Sequence, residues 1–132
     1  MPPGIRVFVH APVSPRHEWI ESELDHHGAL VQVGRTITAV VTALVDDPPP
    51  RAQVFVVDFD ALSPGEVLEL HALRERGWFG AIIALGTVGD ILRSSLSIDR
   101  VLCPPLVAGL LCETIDGLGL HAVTVRMPTL AR

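Results

Sequence analysis

The chain has 132 residues, of which 48% are hydrophobic and 19% are charged. This length is typical of a single domain, and this composition excludes an intrinsically disordered chain. The formal net charge is −5, and every one of the basic side chains is an arginine. Because lysine is absent, the sequence excludes a P-loop, a Schiff-base mechanism and a lysine clamp on phosphate. The acidic balance also argues against nucleic acid as a partner.

Signals for compartment and processing are weak, and they favour a soluble protein of the cytoplasm. The apolar run near the N-terminus covers residues 5–9 only, which is too short for a signal peptide. No apolar stretch approaches the roughly 20 residues that span a bilayer. Cys103 and Cys112 are too few for a disulfide framework, so we expect reduced thiols.

Short apolar runs recur along the chain and predict β-strands. They lie at residues 5–9, 29–33, 53–57, 80–85 and 100–103. The runs are rich in β-branched residues and nearly continuous, as expected for strands that are covered on both faces. Because segments long enough for helices separate them, the pattern predicts βαβ units and a parallel sheet.

Capping signals mark the helices between these strands. Ser14 followed by Pro15 is typical of a helix start, and residues 63–66 form a capping box with proline at the first helical position. The predicted helices run from Ser14 to Gly28, from Thr36 to Asp46, from Ser63 to Gly77, over 88–96 and over 106–118. The alternation predicts an α/β fold, a doubly wound (βα)5 sheet of flavodoxin-like strand order 2-1-3-4-5. Residues 1–120 then form the domain, and residues 121–132 are predicted to be a tail or linker.

Ligands of such a sheet bind beyond the carboxyl ends of its strands. Residues 48–65 and 80–87 resemble the third and fourth strand segments of a bacterial response-regulator receiver (CheY-like) domain, and the resemblance extends over about residues 4–118. It implies that Asp58 occupies the phosphate-accepting position. It also puts Gly86 on the position of the switch Thr/Ser, with Thr87 one residue late.

The fifth strand carries a further departure from the family. Residues 100–106 look like the receiver strand that ends in Lys-Pro, with Cys103 in the place of the lysine. Pro104 matches the proline that typically follows a cis peptide bond, so the resemblance implies a cis Cys103–Pro104 bond.

The metal-binding acids of the family are also missing. Receivers bind Mg²⁺ through two adjacent acids after the first strand together with the acceptor aspartate, whereas this chain has His10, Ala11 and Pro12 there. Imidazole is a poor substitute for hard oxygen ligands, so we expect no metal and no cofactor. Without the metal and the lysine, nothing is predicted to neutralise a phosphoryl group in transfer. The sequence therefore resembles a degenerate pseudo-receiver.

The predicted function is that of a non-enzymatic signalling domain related to two-component signal transduction. In receivers, phosphorylation reshapes the face formed by the fourth helix, the fifth strand and the fifth helix. Here we expect that face to bind a protein partner, or a second copy as a homodimer, without phosphotransfer. The candidate contact residues are Ile91, Leu110, Leu111 and Leu118.

Two alternatives remain open at this point. The first is a residual receiver that is phosphorylated on Asp58. The second is a small flavodoxin-like enzyme or ligand binder that uses Cys103 with Asp58 and His10. The simpler interpretations are that Asp60 shapes the loop after the third strand, that His10 is a hydrogen-bonded polar residue and that Cys103 is a buried, inert thiol.

Overall fold

The computed structural model describes residues 4–46, 48 and 51–120. Its parallel strands are ordered β2-β1-β3-β4-β5, which confirms the predicted doubly wound sheet. The strands are β1 (Arg6–His10), β2 (Leu30–Val33), β3 (Val54–Asp58), β4 (Ala81–Leu85) and β5 (Arg100–Leu102). The helices are α1 (Pro15–His27), α2 (Ile37–Val41), α3 (Pro64–Glu75), α4 (Asp90–Leu96) and α5 (Leu110–Gly117). The predicted tail, residues 121–132, lies outside the described residues.

Each face of the sheet has its own hydrophobic core. Along β3, Val54 and Val56 face one core, whereas Phe55 and Val57 face the other. Helices α1 and α5 cover the first core, and α2, α3 and α4 cover the second. Covered faces on both sides explain why the strand sequences are continuously apolar instead of alternating.

The helix starts follow the predicted capping chemistry. The Ser14 hydroxyl accepts the His17 N–H at 3.2 Å, and Gly28 ends α1 in the left-handed region at φ 82°. At α3, Ser63 and Glu66 form both hydrogen bonds of the capping box. Helix α2 continues as one π-helical turn over Thr42–Asp46, which ends at the position predicted from the following prolines.

The fifth helix is shorter than predicted, because its N-terminus is fixed by a residue of another helix. It begins at Leu110 and not at Leu106, after Gly109 with φ 88°. The carboxylate of Glu23, buried on α1, accepts the backbone N–H of Gly109 and of Leu111, each at 2.9 Å. An apolar pattern over 106–118 does not reveal this contact between distant segments.

Two further details differ from the sequence-based expectations. The cis peptide bond joins Pro104 to Pro105 and not Cys103 to Pro104. Both bonds precede a proline, whose tertiary amide makes the cis form accessible, so the local sequence does not discriminate between them. The fourth helix begins at Asp90, with Gly89 as its N-cap, instead of at Val88. Within the described residues, no helix is both long enough and apolar enough to cross a bilayer.

Candidate functional site at the carboxyl edge of the sheet

The register of the sheet brings the predicted site residues to one edge. His10 lies beside Val57, Asp58 lies beside Leu85, and Leu85 lies beside Leu102. The carboxyl ends of β1, β3, β4 and β5 are therefore level with one another. This is the edge at which doubly wound sheets bind their ligands.

Arg16, in the first turn of α1, joins the two acids of this edge. Its Nη1 atom donates to Asp58 Oδ1 at 2.9 Å and to Asp60 Oδ2 at 2.9 Å. The Asp58 side chain is 7% exposed, the Arg16 side chain 27% and the Asp60 side chain 43%. The hydrogen bonds that the guanidinium donates to Asp60 and Asp58 raise the pKa of Arg16. These three residues are called the ion triad below.

Asp60 extends the ion triad to the loop after β4. Its Oδ1 atom accepts the backbone N–H of Thr87 at 3.0 Å. This hydrogen bond, and secondly that from Arg16, holds the pKa of the Asp60 carboxyl below its ordinary value. Gly86 has φ 118°, and a Cβ atom there would overlap the Asp60 carboxylate. The positive φ favours glycine at this position, and a larger residue would also displace the Asp60 carboxylate.

His10 and Ala11 lie at the same edge but outside the ion triad. The Nδ1–H of His10 donates to the Gly34 carbonyl at 2.9 Å, and the residue is buried. His10 is on β1, which lies between β2 and β3 in the sheet. Because Gly34 follows β2 and Asp58 ends β3, this bond directs the imidazole away from Asp58. The carbonyl of Ala11 accepts a hydrogen bond from His17 Nδ1 at 3.0 Å.

Cys103 is exposed and not buried, which corrects the sequence-based expectation. The strand β5 ends at Leu102, so Cys103 lies at the rim of the sheet beside the exposed Pro104 and not beneath a helix. Its Sγ atom contacts the Gly86 carbonyl at 3.5 Å. The thiol thus faces the loop after β4.

The residues at this edge do not fit the magnesium site that a receiver fold implies. Asp58 and Asp60 are the available carboxylates, and the Arg16 guanidinium bridges them at hydrogen-bond distance. Mg²⁺ requires a near-octahedral set of oxygen ligands, and its charge would repel the guanidinium. In the described part of the chain, no group of three His, Cys, Asp or Glu side chains converges as a metal site.

The candidate contact residues on the face of α4, β5 and α5 differ in accessibility. Ile91 is 85% exposed and is available to a partner. Leu110 and Leu118 are half-buried against the core that α1 and α5 cover. Leu111 is 0% exposed, so it is a core residue and is withdrawn from the candidate surface. Val107, before α5, is 55% exposed, but its carbonyl accepts the indole N–H of Trp19 on α1, so it lies on the side of the sheet away from α4.

Sequence reasoning missed Arg16 and Glu23, although each carries a local signal. Arg16 follows Pro15 in the first turn of α1, where a cation opposes the helix dipole unless an anion compensates it. Glu23 lies three residues after the buried Ile20 and next to the buried Leu24, on the apolar side of α1. A charged residue that conflicts with its local position is a signal of a long-range partner.

Comparison with solved structures shows which known proteins share this fold. The chemotaxis protein CheY4 of Vibrio cholerae has a TM-score of 0.70 and 14% identity, covering 86% of this chain and 98% of that one. A receiver domain protein of Clostridium thermocellum has a TM-score of 0.67 and 20% identity, covering 86% and 92%. The receiver domain of a sensor histidine kinase from Pseudomonas aeruginosa, solved with magnesium in its active-site cleft, has a TM-score of 0.67 and 16% identity, covering 86% and 96%.

No family model matches the sequence, and no curated protein matches it. The structural neighbours are CheY-like response-regulator receiver domains, and the chain has their fold. The fold that was expected from the resemblance is therefore confirmed.

Proposed function

We propose that this chain is a pseudo-receiver, a signalling domain that binds a protein partner without magnesium-dependent phosphotransfer. The observation that carries the proposal is the position of Arg16 Nη1, 2.9 Å from both Asp58 and Asp60. A fixed guanidinium supplies the positive charge that a divalent ion and a lysine supply in the receiver family. Asp58, at the phosphoacceptor position, is already engaged as an ion-pair partner.

In this proposal the Asp60 carboxylate occupies the place that a phosphoryl group takes in a phosphorylated receiver. Its carboxylate accepts hydrogen bonds from the cation of the site and from the backbone N–H of Thr87. A phosphoryl group on Asp58 would have to displace this carboxylate, because both are anions in one small space. The loop after β4 is thus held by a residue of the chain itself, in a constitutive manner.

The held loop leads directly to the proposed partner surface. Thr87 lies three residues before Asp90, the first residue of α4. The next residue, Ile91, has a side chain that is 85% exposed. The exposed Val107 precedes α5, which covers the opposite face of the sheet from α4, and its carbonyl accepts the indole N–H of Trp19 on α1 at 3.3 Å. We propose that Ile91 contacts a protein partner whose binding does not require phosphorylation. The homodimer that the sequence suggested for this face is retained as one form of such a partner.

An NMR titration of the labelled protein tests the proposal. Addition of Mg²⁺ with beryllofluoride, a phosphoryl mimic, is expected to leave the amide resonances of residues 58–65 unchanged. The variants Asp60→Ala and Asp58→Ala form a matched pair, since both acids contact the same Arg16 atom but only Asp60 bonds Thr87, and alanine leaves no side-chain acceptor. Asp60→Ala is expected to shift the amides of residues 87–91, and Asp58→Ala to leave that loop in place.

The opposite pattern supports the residual receiver. A saturable beryllofluoride shift that requires Mg²⁺ and is lost in Asp58→Ala would establish a working acceptor site and overturn the proposal. Equal effects of the two variants on the loop after β4 would also contradict it, because the hydrogen bond to Thr87 would then not control the loop.

A further inference from the structure

The two edges of the sheet are protected to different degrees. Natural proteins guard edge strands with charges, prolines or very short strands. The edge strand β5 has three residues, carries Arg100 and is followed by Pro104 and Pro105. The opposite edge strand, Leu30–Val33, is one residue longer, and its sequence LVQV contains neither a charged residue nor a proline. The β2 edge is therefore open to pairing.

The side chains of β2 present apolar area on both faces of the sheet. Leu30, Val31 and Val33 are 45%, 43% and 45% exposed, although they belong to a strand of the sheet. The N–H groups of Leu30 and Gly34 bond to the carbonyls of Ile5 and Val9, so the alternation of the strand turns the main-chain groups of Val31 and Val33 outward. A groove of about 540 Å³ runs beside this edge, between α1 and β2, and Asp25, Ala29 and Val31 line part of it.

We infer that β2 pairs with β2 of a second copy in an antiparallel manner, which joins the two sheets across a twofold axis. In the register centred on Gln32, Val31 of each copy lies opposite Val33 of the other and exchanges both main-chain hydrogen bonds with it. The two Gln32 side chains meet at the axis, and they can bond to each other because each side-chain amide has both a donor and an acceptor.

Charge complementarity selects a second copy as the occupant. In this register Arg35 of one copy lies opposite Ala29 of the other, at the groove that Asp25 lines. Both Arg35 and Asp25 are exposed, and neither forms an ion pair with the residues that the structure describes. The twofold axis generates the same pairing of Arg35 with Asp25 a second time, so opposite charges face each other at both ends of the interface.

The predicted dimer is weak and leaves the proposed partner surface free. A strand of four residues buries less than the roughly 1,200 Å² of a standard stable interface. The β2 edge lies at the opposite end of the sheet from β5. The dimer therefore does not depend on the proposed function of the α4, β5 and α5 face, and a failure of one leaves the other in place.

Sedimentation velocity over about a hundredfold range of protein concentration tests the inference. The unmodified chain is expected to shift from monomer to dimer as the concentration rises. Val31→Lys is expected to abolish the dimer, because it places two ammonium groups in the paired edge. Arg35→Glu is expected to weaken it about tenfold, and the swapped variant D25R/R35E to restore it, since the charges then oppose again.

Controls separate this interface from others and from unfolding. Phe79→Lys, at an exposed position before β4 that belongs to neither proposed surface, is expected to leave the dimer unchanged, and circular dichroism verifies that each variant is folded. A chain that stays monomeric at every concentration overturns the inference. A dimer that persists in Val31→Lys, or one that Arg35→Glu does not weaken, also overturns it, because the contact then lies elsewhere.

Discussion

Replacement of Arg16 by glutamine tests the physical basis of the ion triad. The change leaves the nearly buried Asp58 carboxylate without its cation, and it removes a charge-assisted hydrogen bond that contributes about 1.5–3 kcal/mol. The bond to Asp60 contributes much less, because the Asp60 side chain is 43% exposed and solvent screens the pair. Removal of a cation from the first turn of α1 returns about 0.5 kcal/mol through the helix dipole.

The expected net loss is about 1.5 kcal/mol in the free energy of unfolding. For a domain of this size the loss lowers the melting temperature by about 5 °C, measurable by circular dichroism at pH 7. The effect depends on pH with a definite sign. The hydrogen bond from Thr87, and secondly the one from Arg16, lowers the pKa of Asp60, so these contacts stabilise the fold above the unfolded carboxyl pKa, and their stabilisation disappears as the pH falls through the folded pKa. The difference between Arg16→Gln and the unmodified chain should therefore shrink below about pH 4.

A double-mutant cycle decides whether the charge pair is responsible. In R16Q/D58N no buried carboxylate lacks a cation, so the combined loss is expected to be about 1 kcal/mol smaller than the sum of the single losses. Additive losses at pH 7, or a difference that stays constant down to pH 3, would refute the reasoning. Either result would mean that Arg16 contributes through packing and not through its charge.

Three other substitutions probe the supports of the site and of the fold by thermal denaturation. Gly86→Ala is expected to cost about 2 kcal/mol or more, because the new Cβ atom meets the Asp60 carboxylate and the positive φ disfavours a side chain. Glu23→Gln is expected to cost about 1–2 kcal/mol, since it removes the charge that accepts the N–H groups at the start of α5. Arg74→Met is expected to cost about 2–3 kcal/mol, because the guanidinium of Arg74 donates to the carbonyls of Leu96, Trp78, Gly80 and Ser97.

Each of these variants has a matched control in the same chain. Gly117→Ala lies in a helix with no atom within 4 Å of the new Cβ, so it is expected to be neutral or slightly stabilising. Glu21→Gln removes an exposed acid of α1 and is expected to change the melting temperature by less than about 2 °C. For Arg74, lysine is expected to recover only part of the loss, because it lacks the planar fork of donors. Equal losses for a variant and its control would contradict the assigned contacts.

The sequence predicted the fold better than it predicted the site, for a physical reason. Strand continuity and the caps at Ser14 and Ser63 depend on neighbours in the chain, and the structure confirms them. The contacts of Arg16 with Asp58 and Asp60 join residues more than 40 positions apart. Such contacts depend on which loops the strand order brings together. Composition and periodicity do not report the spatial distance between residues that are far apart in the chain.

The same limit applies to the start of α5. Its apolar pattern begins at Leu106, but the helix begins only where Glu23 can accept its first N–H groups. Likewise the pattern placed Leu111 at a binding face, whereas the packing of α5 against α1 buries it completely. Residues on one helical stripe can belong to the core or to a surface, and the adjoining helix decides which.

The bridging guanidinium also sets the order in which phosphate chemistry could be engineered into this protein. Aspartates at positions 10 and 11 and a lysine at position 103 would add the missing groups, but the guanidinium would still occupy the space in which a metal ion has to bind. The arginine on the first helix would have to be replaced first, and the acid at position 60 shortened or neutralised with it. A design that begins instead with the new acids would add negative charge around a guanidinium that is already paired with two carboxylates.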